Sequence, residues 1–254
     1  VKSAPESKSE LTRIFPADRG AAIIGSRAAY ADLEFNAGAS EERPYVIVNM
    51  VTTVDGQGRI GENTADLGGD GDADLFASLR ERVDCVMAGV GTIAAEHYKA
   101  PARGDDVQAR RSADGFAPRP LVATMTRSGE LPTAAPLFSD AGLKIAVASE
   151  VEISSDGIAA AVERVETVDP AEFLHALRRD FGVRSVLLEG GPHLNTPFLA
   201  GELVDELFLT VAPVLIGNAD PFPIVAGPLP AKQKLHLISA YSGDEHLYLR
   251  YRVD

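Results

Sequence analysis

The sequence predicts an α/β fold built on a mostly parallel sheet, with an antiparallel strand at its C-terminal end. Three observations carry that expectation. Apolar runs rich in β-branched residues alternate with amphipathic helical segments, the pattern of a parallel sheet covered by helices. The run Tyr45-Val46-Ile47-Val48-Asn49-Met50-Val51 shows no polar alternation, as expected of a strand buried on both faces. The last residues do alternate, with Leu247, Leu249, Tyr251 and Val253 set against His246, Tyr248, Arg250 and Arg252. That is the pattern of a half-exposed antiparallel strand.

The elements follow in order. Residues 1–43 read as an N-terminal arm: the first ten as disordered, the rest as short apolar patches such as Ala21-Ala22-Ile23-Ile24 without a persistent period. Residues 44–254 read as a single domain, with no internal repeat and no low-complexity linker. Its first strand ends at Thr52-Thr53-Val54-Asp55-Gly56, where Asp-Gly marks a turn. Asp70 or Asp72 then caps a helix in which Leu75, Leu79 and Val83 recur every four residues. A strand from Cys85 to Ala88 runs into Gly89-Val90-Gly91-Thr92 and a short helix with Ile93 and Glu96. Residues 99–119 read as the longest irregular stretch. Further strands are expected at 121–125, 143–148, 185–189 and 206–213. Between the second and third of these, Asp169-Pro170-Ala171-Glu172 opens a helix with an Asp cap, Pro at the first position and Glu in place for a capping box. Phe173, Leu177 and Phe181 form its apolar face, and Gly182 ends it.

Composition narrows the function. A net charge of −13 disfavours nucleic acid and anionic membrane surfaces, which call for a basic stripe. Any anionic ligand must therefore find its positive potential in a few arginines and in backbone N–H groups. The single cysteine, Cys85, lies in an apolar run and reads as a small core residue, with no disulfide and no zinc cluster. No pair of histidines has metal-ligand spacing. With no membrane-length segment and a polar N-terminus, the expected compartment is the cytoplasm.

Four strand ends gather the chemistry: Thr52 to Asp55, Gly89 to Thr92, Thr124-Met125-Thr126-Arg127, and Glu189-Gly190-Gly191-Pro192. In parallel sheets, ligands bind beyond the carboxyl ends of strands. The two glycine turns suit a pyrophosphate, because a backbone without Cβ atoms approaches the charge closely and the next helix points N–H groups at it. Glycine exits also serve plain chain reversal, and neither turn fits the dinucleotide fingerprint, since Ala94 stands where its third glycine belongs. Thr92 and Thr196 offer hydroxyls, and Arg127 suits a 2′-phosphate. Asp55 is the leading acid, either a proton donor with a raised pKa or a turn-forming residue. Glu189 lies at a strand end as well, Glu96 on the short helix orients a ligand hydroxyl or faces solvent, and His193 stands beside a glycine turn. Arg80 at a helix end is a ligand residue or a cation compensating the dipole.

Taken together, the ordered set Arg43-Pro44-Tyr45, Asp55-Gly56, Leu79-Arg80, Asp84, Gly89-Val90-Gly91-Thr92, Leu187-Leu188-Glu189-Gly190-Gly191-Pro192, Leu203 to Leu207, Ala212-Pro213 and Gly217 resembles the riboflavin-biosynthesis reductase family. That family is the reductase half of the bifunctional pyrimidine deaminase/reductase, and the N-terminal arm resembles stand-alone actinobacterial members. The resemblance implies a dihydrofolate-reductase-like three-layer α/β/α sandwich, a homodimer, and NADPH as cofactor. It also implies reduction of 5-amino-6-(5-phosphoribosylamino)uracil to a ribityl product by hydride delivery to C1′. By position, Thr52, Thr92, Glu96, Thr124, Thr126, Arg127 and the segment Gly190, Gly191, Pro192, His193, Leu194, Asn195, Thr196 would contact NADPH. Asn49, Thr64, Arg80, Tyr98, Arg103 and Glu189 would face the phosphoribosylated pyrimidine, with Asp55 near the reacting carbon.

The chain departs from the family in four places, one being the segment Leu67-Gly68-Gly69-Asp70-Gly71-Asp72, which lacks the aromatic found there in many relatives. The zinc-deaminase signature is absent, as one cysteine requires. Asn49 replaces the Lys common in bifunctional members, and Tyr98-Lys99-Ala100-Pro101 replaces an Asp-Pro run. Two other readings stay open: a reductase of a pterin or dihydrofolate on the same fold, and a non-catalytic nucleotide-binding module.

Overall fold

The chain enters the sheet earlier than its sequence pattern announces. The computed structural model describes residues 7–17, 20, 22–61, 64, 66–154, 156–217 and 219–254. Strands β1 (Glu10–Phe15) and β2 (Ile23–Gly25) come first, followed by the single-turn helix α1 (Ser26–Ala29). After a loop come β3 (Tyr45–Thr53), α2 (Asp70–Glu81), β4 (Cys85–Met87), α3 (Val90–Ala95), α4 (Asp105–Ala113), β5 (Leu121–Met125), β6 (Lys144–Ala148) and β7 (Ala161–Val165). The chain closes with α5 (Pro170–Phe181), β8 (Ser185–Leu188), α6 (Pro192–Ala200), β9 (Glu206–Ala212), β10 (Leu235–Gly243) and β11 (His246–Val253).

Among the described residues these strands make one sheet in the order β2-β1-β10-β11-β9-β3-β8-β4-β5-β6-β7. From β9 to β7 every pairing is parallel, and from β2 to β9 every pairing is antiparallel. The antiparallel part is thus a whole region rather than one strand. In the parallel half, β3 and β8 pair in register with Val46 opposite Val186 and Ile47 opposite Leu187. Alternate side chains then go to opposite faces. Val46, Val48, Met50, Val186 and Leu188 pack on Phe173, Leu174, Leu177 and Phe198 of α5 and α6. Ile47, Val86 and Leu187 pack on Leu75 and Leu79 of α2. The result is a three-layer α/β/α sandwich.

Several expectations need correction. Residues 1–6 lie outside the described residues, but residues 7–10 are held. The Lys8 N–H donates to the Asp74 carboxylate at 2.6 Å, and Glu10 opens β1. Residues 11–43 are not merely an arm, because β1 pairs with β10 and so continues the sheet. The 99–119 stretch contains α4, which escapes detection because only Arg111 on it is buried. Gly69, not an aspartate, stands at the N-cap of α2, while Asp70 and Asp72 lie within its first turn. Asp169 does cap α5, accepting from the N–H groups of Ala171 and Glu172, but Glu172 accepts a bond from Thr167 rather than closing a capping box.

At its start the C-terminal strand reverses the expected inside and outside, while at its end Arg252 is exposed and Val253 packs on the core as expected. Tyr248, on the polar stripe, is 1% exposed, and Leu247 on the apolar stripe is 41% exposed. Leu11, Tyr30, Phe35 and Tyr241 cover the Tyr248 face, and the Arg250 guanidinium is held by Glu206 with two bonds of 2.7 Å.

Candidate active site

The parallel strands deliver their carboxyl ends to one side of the sheet. There the turns at Gly89 and Gly190–Gly191 meet. The Gly89 N–H donates to the Gly190 carbonyl at 2.9 Å, and the Gly190–Gly191 peptide is cis. Gly190 has φ of +83°, which strains any residue but glycine, and a Cβ there would sit 2.9 Å from Met50 Sδ, which would have to shift. Gly91 differs: a Cβ there would meet nothing within 4 Å. In α3 the first helical bond runs from the Ile93 N–H to the Gly89 carbonyl, so the N–H groups of the preceding turn have no intrahelical acceptor.

These turns line a cleft of about 660 Å3 that also takes in Met50, Arg59, Met125, Thr126, Arg127, His193, Leu194 and Phe222. A second cleft, of about 560 Å3, lies between α2 and the segment 97–107, lined by Phe76, Arg80, Tyr98, Lys99 and Arg103 among others. Thr64, Thr92, Glu96 and Glu189 line both. The Thr64 N–H and hydroxyl both donate to Glu96 Oε1, at 3.1 and 3.3 Å. The two clefts therefore open into each other across a seam of two hydroxyls and two carboxylates.

On the second cleft's wall, Arg80 grips Glu189 with Nε to Oε1 at 2.7 Å and Nη2 to Oε2 at 2.6 Å. Arg80 also donates to the Tyr98 hydroxyl at 2.9 Å, and Tyr98 donates to Glu189 Oε2. The guanidinium lies 3.9 Å over the Phe76 ring. Burial pulls the Arg80 pKa down, but Glu189 and Tyr98 outweigh it and the net direction is up. Burial, with the Glu189 charge beside it, raises the Tyr98 pKa well above its usual value. Arg80 is thus not merely a dipole-compensating cation. Behind it, fully buried Arg111 donates to the carbonyls of Arg80, Val83 and Ala117. Burial lowers its pKa to about 10.

Asp55 is placed otherwise than expected of a proton donor. Its carboxylate is exposed and accepts bonds from the Thr53 hydroxyl at 2.5 Å, the Gly217 N–H at 2.7 Å and the Ile216 N–H at 3.4 Å. The Thr53 and Gly217 bonds hold its pKa below the usual carboxylate range, the reverse of the rise that desolvation would give. It fastens the loop after β9 to the end of β3.

Of the other predicted residues, Thr126, Arg127, Gly191, Pro192, His193 and Leu194 line the first cleft. Gly190 shapes its turn. Thr52 is buried and donates to the Thr53 carbonyl, while Thr124 donates to the Ala88 carbonyl at 2.7 Å, tying β5 to β4. Thr196 is engaged with the Pro192 and Ala226 backbone, and Asn195 donates to the Ile224 carbonyl. Asn49 is half-buried in β3 and lines neither cleft. Sequence reasoning missed Arg59, Phe222 and Phe76. Only Phe76 carried a local signal, one turn before Arg80 on the same helix face.

The motif residues outside the clefts have structural work. Arg43 grips Asp205 with two bonds of 2.8 Å, and the Tyr45 hydroxyl donates to Glu206 at 3.0 Å. Among the described residues no group of three or more His, Cys, Asp or Glu is placed to hold a metal, and no helix is long and apolar enough to cross a membrane.

A dinucleotide fits the first cleft on two counts. The open position at Gly91 leaves room for a diphosphate against the helix start, and among the described residues Arg127 has no carboxylate partner.

A family model described as the RibD C-terminal domain matches residues 44–249. The 2,5-diamino-6-ribosylamino-4(3H)-pyrimidinone 5′-phosphate reductase of Methanothermobacter thermautotrophicus is 29% identical over 220 residues, 83% of this chain and 99% of that one. The protein of the same name from Aquifex aeolicus is 30% identical over 194 residues, covering 73% and 84%. A solved pyrimidine reductase-like protein from Corynebacterium diphtheriae shares the fold, with a TM-score of 0.71 at 20% identity over 90% of this chain and 98% of that one. With its glycine turns, paired clefts and family match in agreement, the chain belongs to the RibD C-terminal domain family, the reductases of riboflavin biosynthesis.

Proposed function

We propose that this chain is an NADPH-dependent reductase that converts 5-amino-6-(5-phosphoribosylamino)uracil to its ribityl product. One observation carries the reading: a cleft edged by two glycine turns opens into a cleft lined by Arg80, Lys99 and Arg103. When bound, the cofactor supplies the hydride that reduces C1′. Thr92 and Glu96 stand at the seam where donor and acceptor meet, and Arg103 and Lys99 offer charge to the ribotide phosphate. Arg80 and Glu189 stiffen the wall that orients the ring. Arg127 favours NADPH over NADH through the 2′-phosphate.

Asp55 serves by fixing the loop beside the site rather than by giving up a proton. The relatives named above act on the 2,5-diamino pyrimidinone phosphate, which shares the ribosylamino phosphate arm. Following NADPH absorbance with each ribotide and with dihydrofolate tests the assignment. Oxidation with the uracil ribotide as the best substrate is expected. Turnover of dihydrofolate alone, or of none, would sink it.

The chain is further proposed to work as a cytoplasmic homodimer. Leu247 and Leu249 on β11, beside Leu209 and Val211 on β9, form an apolar sheet face that lies only partly buried. Sedimentation showing a monomer at micromolar concentration would refute the dimer.

A further inference from the structure

We propose that Arg59 is the cation that holds the diphosphate of the dinucleotide, an inference that rests on the cofactor reading above. Arg59 lies in the loop after β3. Its guanidinium carbon sits 4.0 Å over the ring of Phe222. Two hydrogen bonds make the two one unit: the Gly58 N–H donates to the Phe222 carbonyl at 2.6 Å, and the Phe222 N–H donates to the side-chain Oε1 of Gln57 at 2.9 Å. The Phe222 ring in turn abuts the second glycine turn. A Cβ on Gly191 would lie 3.8 Å from Phe222 Cζ and 3.1 Å from Thr92 Oγ1. The stacked arginine is therefore fixed beside the place where the two turns meet.

Its hydrogen-bonding state points to a ligand. The Arg59 Nε–H is buried and has no acceptor. Three other arginines lie over aromatic rings at 5.4 Å or less, and each has protein acceptors: Arg80 has Glu189, Arg250 has Glu206, and Arg111 has three carbonyls. Among the described residues Arg59 has no carboxylate or carbonyl acceptor, in a chain that carries a net charge of −13. An unpaired guanidinium in such a chain is a local source of positive potential. The planar stack holds its fork in one orientation, so little entropy is lost when it meets phosphate oxygens.

The other anionic groups of the two ligands have separate candidates. Arg103 and Lys99 line the second cleft, and Arg127 stands at the exit of β5. The diphosphate beside Gly91 and Gly191 is the charge left for Arg59.

The test is a binding experiment, independent of turnover. Wild type, Arg59→Met and Arg59→Lys are titrated with NADPH and NADH by nicotinamide fluorescence, and with ADP-ribose by calorimetry, at two salt concentrations. Arg59→Met is expected to weaken all three ligands alike, about 10- to 100-fold, with a shallower salt dependence. Arg59→Lys, which keeps the charge but not the fork, should fall between. Unchanged binding, or a loss confined to NADPH, would overturn the proposal, the second by placing Arg59 on the 2′-phosphate. Ligand-free thermal melts report folding. Should Arg59→Met unfold, Phe222→Leu carries the test, with an equal several-fold loss for NADH and ADP-ribose expected and no loss refuting it. Wild type binding none of the three would overturn the cofactor reading itself; wild-type binding unaffected in both variants overturns this inference alone.

Discussion

Arg80 on α2 and Glu189 at the end of β8 meet through two hydrogen bonds, of 2.7 and 2.6 Å, and the Glu189 side chain is 2% exposed. Arg80 supplies the countercharge that lets this carboxylate lie buried. The pair spans the distance between a helix on one face and the strand that leads into the glycine turn. It ties the walls of the two clefts together.

Removing one member should therefore cost far more than removing both. Arg80→Met leaves Glu189 buried without its countercharge, and a loss of about 3–5 kcal/mol in urea denaturation at pH 7 is expected. The double replacement Arg80→Met with Glu189→Leu should recover much of that stability while remaining inactive. Equal losses in the single and double variants would show the pair to be energetically unimportant.

The two glycines at 91 and 190 should respond differently to alanine. At Gly190 the φ of +83° and the 2.9 Å approach to Met50 predict a destabilisation of about 1–3 kcal/mol. At Gly91, with open space around the added methyl, the melting temperature should hold or rise slightly, since alanine suits a helix better. Cofactor affinity should nonetheless fall at least tenfold, because the proposed site puts the ligand in that open space. A Gly91→Ala variant that binds NADPH normally would contradict the placement.

Asp55 gives a pH prediction with a definite sign. Its folded pKa lies below the ordinary 3.8, so its stabilising contribution is present above that pH and is lost as pH falls through the folded value. Nothing in its titration reaches neutrality. Asp55→Asn should leave the shape of the pH–rate profile unchanged above pH 5, while hydrogen exchange at the Gly217 amide accelerates. A limb near neutral pH that vanishes in the variant would restore the proton-donor role.

Arg111 should behave as a purely structural cation. Its three carbonyl acceptors lie inside the protein, and Arg111→Met would leave them unpaired at a cost on the order of 3 kcal/mol. Because one of them is the Arg80 carbonyl, substrate KM should rise more than cofactor Kd in whatever fraction folds. Equal effects on the two would separate Arg111 from the substrate wall.

The inner strands of the sheet's parallel half were legible because they are buried on both faces and so must be apolar throughout, whereas edge strand β7, with Ala161 and Glu163 exposed, was not. The glycine turns were legible because a backbone that must approach charge leaves a compositional trace. Helix α4 was not, since Asp105–Ala113 exposes nearly every face and has no apolar period to read. The C-terminal strand misled in a different way. Its alternation correctly gave two faces, but which face is covered depends on Leu11, Tyr30 and Tyr241, residues distant in sequence that come to lie over Tyr248. Arg59 was invisible for the same reason, because the ring that makes it more than a surface cation belongs to a distant loop. Asp55 looked like an acid because it follows an apolar strand. Its carboxylate is governed instead by the Thr53 hydroxyl and the Gly217 N–H.

The seam formed by Thr64, Thr92, Glu96 and Glu189 has a thermodynamic consequence. Whatever occupies one cleft becomes part of the lining of the other, so each guest completes its neighbour's room. Affinities for the two must then be linked, and by the same factor in both directions. A party wall of this kind ties departure to departure: under the proposed reading, the guest that leaves first takes with it the part of its neighbour's surroundings that it supplied.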